Sequence, residues 1–385
     1  MIPLSFLIKP ASGSCNMRCR YCFYEDELKN RTDDSMVFMT QATAELLVRE
    51  AFSGADCSRK SSGQIPHISF AFQGGEPTLA GLLFFRSFVE MVQHYNIHNY
   101  PVQYSIQTNG LALNKEWADF FREHHFLVGV SIDGDQSLHE SLRPDAAGLP
   151  TWDRITRNLA LLQSRQVDVN LLCVVTRQCA RHPEKYYRAL KQLGVSFLQF
   201  IPCLDPLNLP RGSMPYSLSP QLYGNFLCGL FDEWYRDWQS GHYTSIRLFD
   251  DYIHLAMGCA PGTCATSGHC GAYFVVEGDG SLYPCDFYCL NEWKIGRLGE
   301  ASFAELADSE IETRFLKEGN QHPQECSSCR FYSLCFGGCK RDWYTDAAGN
   351  PHNYFCPSFL QFFVYSESRI LEIARKERHF LSFDR

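Results

Sequence analysis

The chain has 385 residues, 45% hydrophobic and 20% charged, with a formal net charge of −8. That length suits one large domain or two ordinary ones around a substantial core, and the acidic balance excludes the basic footprint of a general nucleic-acid binder. MIPLSFLIKPASG lacks the cationic start and long apolar core of a signal peptide, and no apolar run approaches the ~20 residues that span a bilayer. A cytoplasmic protein with no membrane partner is therefore expected. Disulfides are rare in that compartment, so eighteen cysteines read as candidate ligands or catalytic groups. Seven of them, Cys57, Cys173, Cys179, Cys203, Cys228, Cys259 and Cys289, lack ligand spacing.

The first predicted strand, SFLIK, runs into CNMRCRYCFY, which sets Cys15, Cys19 and Cys22 at CxxxCxxC spacing. Three thiolates suit three irons of a [4Fe–4S] cube and leave the fourth open to another ligand. Zinc is the competing reading, although it usually takes paired CxxC ligands and four partners. Five more strands are predicted: His67–Gln73, Val102–Thr108, Phe126–Ile132, Val169–Val175 and Phe197–Ile201. Helical stretches separate them at Thr40–Phe52, Leu82–Tyr95, Lys115–Glu123, Trp152–Arg165 and Pro183–Leu193. Such alternation predicts parallel βαβ units, hence an α/β fold with either an open doubly wound sheet or a partial TIM-like barrel. In both, ligands gather at the carboxyl ends of the strands. QGGEPT, QTNG and SIDGD follow the second, third and fourth strands, so four strand ends converge on one site.

Ala55–Pro66 is polar and turn-rich and reads as a surface insertion. A proline-rich link, Asp205–Pro220, and a helix from about Gln221 to Gln239 lead out of the barrel, which places a boundary between residues 1–240 and 241–385. Beyond it, Cys264, Cys270, Cys285, Cys326, Cys329, Cys335, Cys339 and Cys356 are enough for two four-thiolate sites. Metal ligation there would supply folding energy that so small a region cannot draw from a core. Zinc ribbons are the alternative. Iron is favoured by the opening motif, by the CxxCxxxxxCxxxC run, and by Phe331, Tyr332, Phe336 and Phe355, which would keep water from a reducible cluster. FVVEGDGSLYP reads as a hairpin, and Asp286, directly after Cys285, is either a general base or a turn cap. The glycines of QGGEP let backbone approach a ligand closely. Ser131 and Arg143, at or beyond the fourth strand's end, suit a cofactor carboxylate or ribose, or else a cap and a surface ion pair.

CxxxCxxC with Phe23 after the third cysteine, followed by GGEP, resembles the radical S-adenosylmethionine (AdoMet) superfamily. The later order, Cys270–Gly280–Cys285 and then CxxCxxxxxCxxxC with a late cysteine, resembles its SPASM extension. Within that group the chain resembles anaerobic sulfatase-maturating enzymes, through strings that include LIKPAS, FAFQGGEPTLAG, FLVGVSIDG and FVVEGDGSLYPCDFY. The resemblance implies a partial (β/α)6 TIM-like barrel with a small cysteine-rich C-terminal iron–sulfur domain. It implies three [4Fe–4S] clusters: one on Cys15, Cys19 and Cys22, a nearer auxiliary cluster on Cys264, Cys270, Cys285 and Cys339, and a farther one on Cys326, Cys329, Cys335 and Cys356. AdoMet contacts would come from Tyr21, Gly75, Ser131, Arg143 and Leu204. Asp286 would be the base, with Tyr24, Gln73 and Gln107 near the reacting residue. The implied reaction cleaves AdoMet to a 5′-deoxyadenosyl radical, which oxidises a cysteine or serine of an unfolded or nascent sulfatase to Cα-formylglycine. The implied electron source is a low-potential donor such as flavodoxin or ferredoxin. Two other readings stand beside this one: a SPASM enzyme that forges a thioether in a different peptide, and a zinc-ribbon binding protein without catalysis.

Overall fold

A computed structural model describes residues 2–32 and 37–383. The strands are β1 (Ser5–Ile8), β2 (Ile68–Phe72), β3 (Val102–Thr108), β4 (Leu127–Ser131), β5 (Asp168–Val175), β6 (Phe197–Pro202), β7 (Ser245–Ile246), β8 (Phe274–Val276), β9 (Ser281–Tyr283) and β10 (Gly296–Arg297). All six strands expected for the barrel are present, separated by helices, and the fold is the α/β partial barrel expected. The chain divides into two compact units.

The first unit comprises Met1–Ile132, His139–Asn170 and Ala272–Phe315. Its strands lie in the order β10-β9-β8-β1-β2-β3-β4. β1, β2, β3 and β4 pair in parallel in succession, as βα connections require. The predicted hairpin forms as antiparallel β8 and β9, and β8 also pairs in parallel with β1, with Phe6 opposite Phe274. That pairing brings residues 274–286 beside the strand that leads into the first cysteine loop. The core beneath the sheet is aromatic: Phe70, Phe72, Phe85, Phe88, Phe120, Phe121 and Phe126 are all buried. Phe72 meets Phe85 edge-on at 4.8 Å and Phe88 at 5.1 Å, the T-shaped geometry such rings prefer.

One expectation is corrected here. Residues 55–66 are not a turn-rich insertion, because the helix that begins at Gln41 continues to Ser62. Thr40 caps its start by accepting from the Thr43 amide at 3.1 Å. Ala55 is fully buried on the inner face, and Ser61 and Ser62 turn their hydroxyls back to the Ser58 carbonyl rather than break the helix. Gly63, in the left-handed conformation, ends it.

The second unit comprises Asp133–Leu138, Leu171–Gly271 and Leu316–Arg385. β5 and β6 pair in parallel, as do β6 and β7. Helix Pro220–Gln239, capped by Ser219 and entered through a proline, packs against helix Cys356–Phe383. Phe231 meets Phe362 edge-on at 5.5 Å, and Arg369 pairs with Asp232 at 2.7 Å. Among the described residues no helix is long and apolar enough to cross a membrane.

Candidate active site and cluster centres

The opening cysteine loop is held by the turn after β2. The amides of Gly75 and Glu76 donate to the Ser12 and Ser14 carbonyls, both at 2.8 Å. The two backbones lie so close that a Cβ on Gly75 would fall onto the Ser14 oxygen. The glycine pair is therefore needed for packing, and the amides of Gly75 and Glu76 are committed to the fold. Glu76 is buried and accepts from the Thr78 amide and hydroxyl, the Thr108 hydroxyl and the Asn109 amide, at 2.6–3.1 Å. Burial still pushes its carboxyl above the usual range. Asn109, from the QTNG string, places its side-chain amide 2.7 Å from the Asn16 oxygen and 3.8 Å from the Cys15 sulfur. GGEP and QTNG thus clamp the loop that carries the three thiols.

Cys15, Cys19 and Cys22 are half-buried on that loop. Burial pushes Cys15 up to about 11, so the thiol keeps its proton until a cation displaces it. Tyr21 is buried, and its hydroxyl accepts from Arg143 at 2.8 Å. Arg143 is itself tied down: its carbonyl accepts from Thr151, which bonds His139 in turn. Burial, and then Arg143, push His139 down to about 3, so the ring adds no competing charge. The Ser131 hydroxyl accepts from Gln107 at 2.9 Å. Leu204 follows β6 in the second unit and is half-buried.

Asp286 follows β9 as expected, but its surroundings include groups that sequence reasoning missed. Lys9, the residue after β1, is 1% exposed, and its ammonium lies 3.1 Å from Asp286 Oδ1. The same nitrogen is 3.1 Å from Cys289 Sγ, 3.4 Å from Glu277 and 3.8 Å from Glu27. Arg31 pairs with Glu277 at 2.9 Å. The Tyr24 hydroxyl donates to Asp286 Oδ2 at 2.6 Å, and burial with the adjacent Asp286 charge keeps that phenol protonated. Burial alone would lower the Lys9 pKa, but its anionic neighbours more than reverse this and hold it well above the usual value. Burial pushes Glu27 up to about 8 against the pull of Lys9. Lys9 and Arg31 thus sit among three buried acidic side chains, Asp286, Glu277 and Glu27. Asp286 Oδ1 is buried, and its partner is the Lys9 ammonium.

In the second unit Cys326, Cys329, Cys335 and Cys356 line one cavity of about 280 Å³, together with Phe331 and Phe363. Burial pushes Cys326 up to about 11 and Cys335 to about 12. Four thiols spread around an apolar cavity fit a cuboidal cluster. Among the described residues no group of three or more Cys, His or carboxylate side chains is arranged for a single metal ion. Of the other four expected ligands, Cys285 ends the β8–β9 hairpin. Cys270 packs against Gly319, where a Cβ would strike its sulfur, and Cys339 Sγ accepts from the Arg341 amide at 3.4 Å. Cys264 is exposed.

The fold and these thiol sets define a radical AdoMet protein with an iron–sulfur extension. The Radical SAM superfamily model matches residues 10–190, and the SPASM model, an iron-sulfur cluster-binding domain, matches 269–330; the second match sets aside the zinc-ribbon reading. The cysteine-type anaerobic sulfatase-maturating enzyme of Clostridium novyi is 44% identical over 97% of this chain and 98% of its own. The serine-type enzyme of Klebsiella aerogenes is 33% identical over 94% and 85%. Native anSMEcpe with bound AdoMet and Kp18Cys peptide superposes with a TM-score of 0.90 at 39% identity, covering 97% of this chain and 99% of that one. The chain belongs to the anaerobic sulfatase-maturating enzyme family.

Proposed function

We propose that this enzyme oxidises a cysteine in a sulfatase polypeptide to Cα-formylglycine, using AdoMet and three [4Fe–4S] clusters. The observation that carries the reading is the buried Asp286 beside Cys285, its Oδ1 ion-paired with Lys9 and its Oδ2 accepting from Tyr24. Cys15, Cys19 and Cys22 would hold the first cluster. Cys264, Cys270, Cys285 and Cys339 would hold the nearer auxiliary cluster, and Cys326, Cys329, Cys335 and Cys356 the farther one. When bound, these groups supply one-electron cleavage of AdoMet, removal of a hydrogen atom from the substrate Cβ, and a sink for the electron left behind.

The chain's own residues supply position and proton transfer. Arg143 and Tyr21, joined by a buried hydrogen bond, would contact AdoMet, with Ser131 and Leu204 as further contacts. The amides of Gly75 and Glu76 are already bonded, so the glycine turn contributes through its carbonyls. Asp286 takes the substrate thiol proton, because the Tyr24 phenol bonded to its Oδ2 keeps its own proton. Loss of a Cβ hydrogen atom, a thiol proton and one electron turns –CH2–SH into a thioaldehyde, which water converts to the aldehyde and hydrogen sulfide. We assign residues 1–240 to the AdoMet-cleaving domain and 241–385 to the auxiliary-cluster domain, place the enzyme in the cytoplasm, and assign electron supply to a low-potential flavodoxin or ferredoxin.

Greater identity to the cysteine-type than to the serine-type relatives supports cysteine as the target. Anaerobic incubation of the reconstituted enzyme with paired cysteine and serine versions of a sulfatase-motif peptide, read by mass spectrometry, tests this. Formylglycine from the cysteine peptide is expected. Product from serine alone contradicts the target, and a crosslinked or intact peptide contradicts the reaction.

A further inference from the structure

The most unusual group in the first unit, outside the residues the family resemblance names, is a lysine with no access to water. Lys9 follows β1, where its amide donates to the Val276 carbonyl at 2.8 Å and fixes its backbone on β8. Its stem passes beneath Gly74, so close that a Cβ there would lie 3.1 Å from both Lys9 Cβ and Cγ. The side chain therefore has one route, inward, to Asp286.

An ammonium has three N–H donors. Here they face three near acceptors: Asp286 Oδ1 at 3.1 Å, Cys289 Sγ at 3.1 Å and Glu277 at 3.4 Å. The same nitrogen sits 4.6 Å over the Tyr24 ring, whose hydroxyl holds the other Asp286 oxygen. One side chain thus touches both the carboxylate and the phenol bonded to it. Arg31 and Glu277 brace Lys9 from the opposite side.

We propose that Lys9 is a positioning residue of the oxidation: it holds the Asp286 carboxylate, and with it the Tyr24 hydroxyl, in the single orientation from which Asp286 accepts the substrate proton. The proposal rests on the reading of Asp286 as proton acceptor. Small errors in aiming a reacting group cost rate steeply, so the loss should fall on peptide oxidation.

The experiment compares Lys9→Met, Lys9→Met/Glu277→Gln and Asp286→Asn in reconstituted enzyme. Iron content, formylglycine and 5′-deoxyadenosine are measured with the cysteine peptide. The double variant removes one positive and one negative charge together, which protects folding if the single variant fails. The expected result for both Lys9 variants is wild-type iron and at least a tenfold fall in formylglycine per 5′-deoxyadenosine, with the peptide KM unmoved. A double variant with wild-type iron and a wild-type ratio overturns the proposal. So does one that loses its iron, which would make Lys9 a folding residue. If Asp286→Asn keeps the wild-type ratio, the reading of Asp286 fails first and Lys9 falls with it. If Asp286→Asn loses the ratio and the folded double variant does not, only the Lys9 proposal fails.

Discussion

Burial decides the chemistry of single residues in this site. Glu27 is the clearest case, because its folded value of about 8 stands well above its ordinary 4.5. A carboxyl raised on folding makes the native state bind more protons than the unfolded chain, so stability falls as pH rises through the window from 4.5 to about 8. Glu27→Gln keeps the shape and removes the titration. We expect the thermal midpoint of the wild type to drop between about pH 5 and about pH 8 more steeply than that of the variant; parallel profiles would contradict the assignment. Arg143 offers a second test. Losing its hydrogen bond to Tyr21 and its charge should cost about 1.5–3 kcal/mol, or roughly tenfold or more in AdoMet affinity. Arg143→Leu, measured by equilibrium binding to the reconstituted enzyme, checks this, and unchanged affinity would remove Arg143 from the cofactor site. The candidate cluster cysteines and Asp286 could be picked out in the sequence because ligand spacing and adjacency are local. Lys9 was not. A lysine closing an apolar strand looks solvated, and only the pairing of β1 with β8 brings Glu277, Asp286 and Cys289 around it. The available signal was its place at the carboxyl end of a parallel strand, where ligands gather.

Elements were legible wherever a local period or cap defined them. All six barrel strands and the hairpin formed where alternation and turn residues placed them. The helix Gln41–Ser62 was cut short in the sequence reading because serines and charges in its last turns resemble a loop. The buried Ala55 and the backfolded hydroxyls that keep it helical are products of packing. The β1–β8 pairing was invisible for a related reason: nothing local marks which sheet edge a late hairpin will join. Close approach between elements also makes predictions. At Gly75 a methyl group would strike the Ser14 carbonyl, and at Gly319 it would strike the Cys270 sulfur. Gly75→Ala and Gly319→Ala should each lose about four irons per chain, the content of one [4Fe–4S] cluster, with AdoMet cleavage lost only in Gly75→Ala. Iron analysis with a 5′-deoxyadenosine assay separates the two, and full iron in either variant would contradict the packing behind it.

At the scale of the whole molecule, a reaction that removes one hydrogen atom is proposed beside thiol sets whose iron–sulfur clusters would carry away the remaining electron. A two-electron oxidation begun by a one-electron step needs such a sink. Four thiols line an apolar cavity near the C-terminus, where a cluster would meet one part of that need, and the cysteines at 264, 270, 285 and 339 are proposed for the other. Spacing alone does not suggest grouping Cys339 with residues far earlier in the chain; that proposed grouping comes from the family resemblance. The central claim is that radical generation and peptide oxidation are coupled in this protein. The most direct measurement is formylglycine and 5′-deoxyadenosine quantified together, anaerobically, on one cysteine peptide. The account predicts one formylglycine for each 5′-deoxyadenosine, whereas 5′-deoxyadenosine accumulating beside an intact or crosslinked peptide would contradict it.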